Sequence, residues 1–324
     1  MSNDLNDSTP GKYERLDPKN DFLFKKIFSS GGNEDLLIDL LNSILNPPEK
    51  QRITQVEIAN PIKERDFADD KLAIMDIVAR ASDGRLFTIE IQVANEPEMQ
   101  KRALYYWSNI FVSQARSGME YEELKKTISI NIMDYRLWSQ TKKYHTVFQP
   151  LEETEGFLLT DAAEIRFIEL PKMHRKWKAG GFKGSRDPLV KWFLLLMAAE
   201  DEQIAEELEV IAMTDGIIKK AVSEWDRLSQ DQDTRAIYRS RMMARMDQTS
   251  AMKAAERKGK AEGKAEMAQE TICKYLEVRF GTASLELQQQ VRGISSLDEL
   301  NRIINSIYTA GTIIKAQAVI LGTR

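Results

Sequence analysis

The chain has 324 residues, 30% of them charged and 42% hydrophobic, enough for a large core and more than one domain. A net charge of -4 gives no chain-wide signal for nucleic acid, so any such contact must come from local basic patches. One cysteine, Cys273, rules out an intrachain disulfide framework and a cysteine-based zinc site, and two histidines, His145 and His174, argue against a histidine-rich metal centre.

The polar opening, Met1 to Gly11, lacks the apolar stretch of a secretory signal, and residues 1–16 read as a mobile tail. The longest apolar run, Trp192 to Ala199, falls far short of the about 20 residues needed to cross a bilayer. No membrane contact is expected, and the lone cysteine fits a cytoplasmic setting.

Asp17-Pro18 is a plausible helix start, with Asp as N-cap and proline in the first turn. Phe22, Leu23, Ile27 and Phe28 would then form one apolar stripe, broken at Ser29-Ser30-Gly31-Gly32. A stronger helix is expected from Asn33 to Leu45, where Leu36, Leu37, Leu40, Leu41 and Ile44 recur at helical spacing. Asn46-Pro47-Pro48 ends it. Ile53 to Asn60 reads as a strand and Lys63 to Lys71 as a charged loop.

A hairpin follows: Ala73 to Ala79, a turn at Ser82-Asp83-Gly84, then Thr88 to Val93. Asp76, Glu90 and Gln92 interrupt otherwise apolar strands. Glu90 and Gln92 share a face because side chains alternate along a strand. Asp76 joins them if the connection has an odd number of residues. Two adjacent carboxylates repel and are costly to desolvate without a cation or proton, so this pattern suits a divalent metal held by hard oxygens. An alternation of acid and amide also describes a solvated strand face.

Met99 to Arg116 reads as a helix, with Leu104, Tyr105, Trp107, Ile110 and Phe111 mostly on its inner side. Thr127 to Met133 alternates as a strand, and Tyr144 to Phe148 and Glu164 to Leu170 are weaker strand candidates. From Asp187 onward the pattern is helical, through Leu189 to Ala199, Ile204 to Ala212 and Ile217 to Leu228. The order of elements implies a mixed α/β sheet flanked by helices. The tail from Ile272 to Leu321 is amphipathic helix, with Gly281 and Gly293 as breakers.

Asp76, thirteen residues, then Glu90-Ile91-Gln92 resembles the active-site core of the PD-(D/E)XK nuclease superfamily. More closely, the chain is similar to the recombination-promoting nuclease family, whose members are also labelled transposases. Supporting motifs are Pro18-Lys19-Asn20-Asp21-Phe22-Leu23-Phe24-Lys25-Lys26-Ile27-Phe28, Arg102 with Tyr105-Tyr106, Ile168-Glu169-Leu170-Pro171-Lys172, and the Ala-Glu-Gly-Lys repeat within Gly259 to Glu266. The resemblance spans roughly residues 17 to 270.

It implies a PD-(D/E)XK nuclease-like domain over 17–200, a helical region with a charged spacer over 201–270, and an all-helical C-terminal module over 271–324. The implied activity is cleavage of DNA with Mg2+ (or Mn2+), linked to recombination or mobile elements. Asp76 and Glu90 take the metal-ligand places, and the Ile91 carbonyl could be a third ligand. Gln92 stands where the superfamily usually has lysine. Glutamine can orient and hydrogen-bond but carries no charge, and Arg102 is the candidate replacement. Asp21 and Tyr105 are accessory candidates, although an acid in a first helical turn is favoured by the macrodipole anyway.

Two basic stretches could meet phosphate. Lys172, Arg175, Lys176, Lys178, Lys183 and Arg186 lie in what reads as a flexible loop loosened by Gly180, Gly181 and Gly184. Arg235 to Lys264 holds nine basic residues against three acids. Either could instead be a solvated surface, the second an exposed helical spacer. The competing functional class is a catalytically muted nuclease fold, a DNA-binding or oligomeric regulatory protein. An RNA-directed nuclease is a third alternative. A homodimer through the C-terminal helices would suit double-strand cutting by one active site per chain.

Overall fold

The computed structural model describes residues 14–59, 76–94, 98–183 and 186–322. The charged loop Lys63 to Lys71, Ala73 to Met75 of the hairpin, and Gly184 lie outside them. The chain forms two compact units, Met1–Arg239 and Ser240–Arg324.

Six strands form one sheet in the first unit: β1 (Val56–Ala59), β2 (Ile77–Ala81), β3 (Leu86–Gln92), β4 (Thr127–Met133), β5 (His145–Phe148) and β6 (Ala163–Glu169), in the order β1-β2-β3-β4-β6-β5. β3, β4 and β6 run parallel, while β1, β2 and β5 pair antiparallel with their neighbours. β4 is central, and all seven of its residues are buried, as expected for a strand covered on both faces. Gly84 adopts φ +89° in the β2–β3 turn, a conformation that glycine takes without a Cβ penalty.

Alternation sends Ile77, Ala79, Phe87, Ile89, Ile91, Ile128, Ile130, Ile132 and Ile168 into the main core. The helices sharing it are α1 (Asp21–Ser29), α2 (Glu34–Leu45), α5 (Leu189–Met197), α6 (Glu202–Ala212) and α7 (Gly216–Gln230). α6 and α7, read from the sequence as part of a separate helical region, contribute Ile204, Leu208, Ile218 and Trp225 to this core. On the opposite face lies α3 (Met99–Val112), whose Met99 and Ala103 meet Met133 and Phe167 while Ile110 meets Val78 and Leu86.

The chain N-terminal to α1 is fastened to α7. The Arg15 guanidinium pairs with Asp226 at 2.6 Å and lies over the Trp225 ring, and Trp225 Nε1 donates to the Leu16 carbonyl at 2.7 Å. The Leu16 amide donates to Ser229 Oγ at 3.1 Å.

The mixed sheet and its flanking helices follow the expected architecture, with three local departures. The first helix starts at Asp21, not Pro18: Asn20 Oδ1 accepts from the Phe22 and Leu23 amides, while Asp17 Oδ1 accepts from the Lys19 amide in the preceding turn. The inner face of α3 is Met99, Ala103 and Ile110, leaving Leu104 and Tyr105 54% and 45% exposed. The first part of the expected basic loop is α4 (Leu170–Lys178), with Pro171 in the first turn where no intrahelical N–H is needed.

In the second unit, the last part of α8 (Gln232–Phe280) packs with α9 (Leu285–Arg292), α10 (Leu297–Ile307) and α11 (Ile313–Leu321). Ile272, Leu276, Val291, Leu300, Ile303, Ile307 and Ile320 make the core. Gly281, at φ +58°, terminates α8.

Candidate active site

The two carboxylates meet at the end of the β2–β3 hairpin. Ala81 and Arg85 face one another across Ser82-Asp83-Gly84, with the Ala81 amide donating to the Arg85 carbonyl at 2.9 Å. The connection is therefore odd, and the register runs on to Ile77 opposite Ile89. One step further puts Asp76 level with Glu90, on the α3 side of the sheet.

Asp76 Oδ2 accepts from the Ile91 amide at 2.8 Å. Glu90 is 4% exposed. Its Oε1 accepts from Gln92 Nε2 at 2.7 Å and from Arg102 Nη2 at 2.8 Å, whereas Oε2 is buried with no hydrogen-bond partner among the described residues. Burial, then the Glu90 charge, pushes the Asp76 carboxyl up to about 8 against the pull of the Ile91 amide. Burial also raises the Glu90 carboxyl, opposed by Arg102 and Gln92.

Three helical side chains surround the pair. Arg102 projects from α3 to Glu90, with its guanidinium 5.1 Å from the Tyr106 ring centre. From α1, Asp21 raises and Lys25 lowers the proton affinity of Asp76. The Tyr105 ring centre lies 6.1 Å from that of Tyr106, and Tyr105 stays exposed rather than entering the core.

Sequence reasoning missed two residues here. Lys25 lies one helical turn after Asp21, a spacing that i,i+4 periodicity could have flagged. Asn131 is level with Glu90 on β4 and 1% exposed. Its Nδ2 donates to Ser129 Oγ and the Arg166 carbonyl, and its Oδ1 is buried without a partner among the described residues. An apolar alternation interrupted by Ser129 and Asn131 was the available signal.

The end of β3 is anchored from below. The Asp134 amide donates to the Gln92 carbonyl at 2.8 Å. Lys19, fully buried, pairs with Asp134 and Glu200, each at 2.7 Å.

The basic residues of α4 and the following turn come after β6, two strands along the sheet from β3. Lys172 turns inward: its Nζ pairs with the fully buried Glu169 at 2.5 Å and donates to the Trp138 carbonyl at 2.7 Å. Lys176 lies over the Tyr144 and Phe182 rings. Arg175, Lys178, Lys183 and Arg186 are exposed.

Can the cluster hold a divalent cation? Among the described residues no three or more His, Cys, Asp or Glu side chains gather to hold one. Mg2+ needs fewer, since it keeps several waters and takes one or two carboxylates. Two hard-oxygen carboxylates disfavoured as a charged pair, with the Glu90 Oε2 acceptor unsatisfied, fit such an ion.

A mixed sheet carrying an Asp level with a buried Glu of a Glu-x-Gln pair at the end of a hairpin defines a PD-(D/E)XK-type nuclease fold. The family model described as "PD-(D/E)XK nuclease family transposase" matches residues 18–255, and the chain belongs to that family. No curated protein and no solved structure matches it. Among the described residues no helix is long and apolar enough to cross a membrane.

Proposed function

We propose that the chain is a divalent-metal-dependent endonuclease that hydrolyses phosphodiester bonds in DNA, in a role connected with recombination or mobile elements. The observation that carries this reading is the Asp76–Glu90 pair, in which Asp76 is half-buried and Glu90 is buried with an unsatisfied Oε2. Asp76 and Glu90 would hold Mg2+ (or Mn2+), with the Ile91 carbonyl as a third protein oxygen and Asn131 Oδ1 as a further one. Bound there, the ion would supply Lewis-acid polarisation of a phosphate oxygen and a more acidic water.

The chain's own groups do the remaining work. Gln92 orients Glu90 through its Nε2–H bond. Arg102 fixes the Glu90 rotamer and opposes the rise that burial causes in its proton affinity. Lys25 is placed on the Asp76 side to offset charge gained by the phosphate, the task left open by Gln92. Asp21 adds a third acid near Asp76, and Tyr105 offers an exposed ring beside the site. Arg175, Lys176, Lys178, Lys183 and Arg186 would contact the DNA backbone, with Lys172 holding α4 in place for them. A cytoplasmic location and a homodimer through the C-terminal helices belong to the same proposal.

The test is cleavage of supercoiled plasmid with Mg2+, Mn2+, Ca2+ or EDTA, run beside Asp76→Ala and Glu90→Ala. Metal-dependent nicking or linearisation is expected, and is expected to vanish in both variants; full activity in both would sink the assignment. Asn131→Ala should weaken Mn2+ affinity measured directly by calorimetry. RNA competition would show which nucleic acid is preferred.

One observation favours the muted reading. Glu90 Oε1 is already saturated by Arg102 and Gln92, an internal ion pair that competes with metal. Wild-type protein that binds DNA but takes up no Mn2+ would establish that second reading.

A further inference from the structure

The middle of α8 is exposed on every side. Each residue from Thr249 to Lys264 is exposed, more than four turns of helix with no tertiary cover in its unit. Isolated helix of this kind gains nothing from packing, so its sequence is free to serve another purpose.

Its charges are not scattered. Lys253, Arg257, Lys260 and Lys264 recur at intervals of four, three and four, which places all four within about 60° of one helix face. They extend over about 16 Å of axis at 1.5 Å per residue. Ser250, Ala254 and Ala261 fall beside them, so small side chains leave the backbone free to approach a flat surface. The nearby acids stand to the side or behind. Glu256 borders the stripe and pairs with Lys260 at 2.5 Å, and Glu262 faces the other way, 3.8 Å from Lys258. Both are exposed i,i+4 pairs, which contribute little and exchange readily for a stronger anion. An apolar seam for a second helix is missing from this face, which argues against a coiled coil as its use.

We propose that this stripe is a docking surface for the phosphate backbone of duplex DNA, independent of base sequence. It rests on the nuclease reading for the identity of the polyanion. The chemistry itself is generic: a linear array of cations facing a duplex that carries one negative charge per about 1.7 Å.

The experiment is fluorescence anisotropy of a labelled DNA duplex with the full chain in EDTA, from 50 to 300 mM NaCl. Wild type is compared with the quadruple variant Lys253→Gln, Arg257→Gln, Lys260→Gln, Lys264→Gln, since glutamine keeps helix propensity. A control variant, Lys258→Gln, Lys274→Gln, Arg279→Gln, removes charge elsewhere in the same unit. Each phosphate contact contributes about 0.9 to the slope of log K against log salt. The stripe variant should therefore lose about 2 to 4 from that slope and bind at least about tenfold more weakly at 0.1 M salt. The control should lose less than about one, and circular dichroism should be unchanged in both.

An unchanged slope in the stripe variant, or an equal loss in the control, overturns the proposal. So does a change in oligomeric state by ultracentrifugation in place of a change in slope, which would assign the face to a second copy. The two readings fail separately: plasmid cleavage with an unaltered slope sinks the stripe alone, and stripe-dependent binding without cleavage sinks the nuclease alone.

Discussion

Replacing Asp76 by asparagine should stabilise the metal-free first unit at alkaline pH, and the gain should grow as pH rises. Asparagine keeps an oxygen to accept the Ile91 amide but cannot ionise. In the wild type the folded-state carboxyl is pushed from 3.8 to about 8. Because the folded pKa is raised, the folded state binds the proton more tightly than the unfolded chain. The resulting stability is fully present below about pH 4 and is lost as pH climbs towards about 8. A shift of about four units corresponds to at most about 6 kcal/mol. Asp76 is only half-buried, so it keeps part of its water, and about 2–3 kcal/mol is the working figure for an effective dielectric near 20. Urea unfolding in EDTA at pH 4.5, 7 and 9 measures this. All five tryptophans (Trp107, Trp138, Trp177, Trp192 and Trp225) lie before residue 240, so selectively excited tryptophan fluorescence reports the first unit alone. Equal stability of the two proteins at pH 9, or a difference that does not vary with pH, would refute the reasoning. Added Mg2+ should stabilise the wild type and leave Asp76→Asn unmoved.

Lys25→Gln should lower the cleavage rate constant by about a hundredfold with little change in KM, as for loss of one charge-stabilising group; equal rates would remove Lys25 from the site. Lys19→Met should cost about 2–4 kcal/mol by tryptophan-monitored unfolding, because Asp134 and Glu200 are left facing each other across a site that no longer holds a cation. A loss below about 0.5 kcal/mol, the scale of an ordinary surface substitution, would contradict that account. Among the described residues, nothing lies within 4 Å of a Cβ added at Gly259 or Gly263. Alanine at both should raise helicity and stabilise the second unit by about 1 kcal/mol per site; a decrease would show that something must approach those glycines closely.

The parts of the site that depend on local alternation were legible. Period-two patterning put Glu90 and Gln92 on one face, and an odd turn carried Asp76 across to them. What could not be read was the placement of helices against the sheet. The Lys25 charge acts on Asp76 only because α1 packs on β3, and no spacing within residues 21–29 encodes that docking. The inner face of α3 was misjudged for a related reason: bulky Leu104 and Tyr105 outweigh Ala103 on a hydropathy pattern, yet the small alanine is what lets the helix approach Phe167. At the chain start two N-cap signatures compete. Asp17-Pro18 forms a turn, and Asn20 wins the helix because its side chain reaches two free amides. Lys172 looked like its basic neighbours because sequence does not reveal that Glu169 is buried beneath it.

The clasp between residues 15–16 and α7 has a consequence for biosynthesis. Every proposed metal ligand, and Lys25 and Arg102 beside them, has been synthesised by residue 131, yet the partners that seat the N-terminal segment, Trp225, Asp226 and Ser229, come more than ninety residues later. At about 5–20 residues per second that interval is on the order of ten seconds of translation. An incomplete nascent chain would carry the full set of reactive groups with α1 not yet fastened. A DNA-cutting activity would thus be withheld until the first unit is finished, and fragments from interrupted synthesis would be inert.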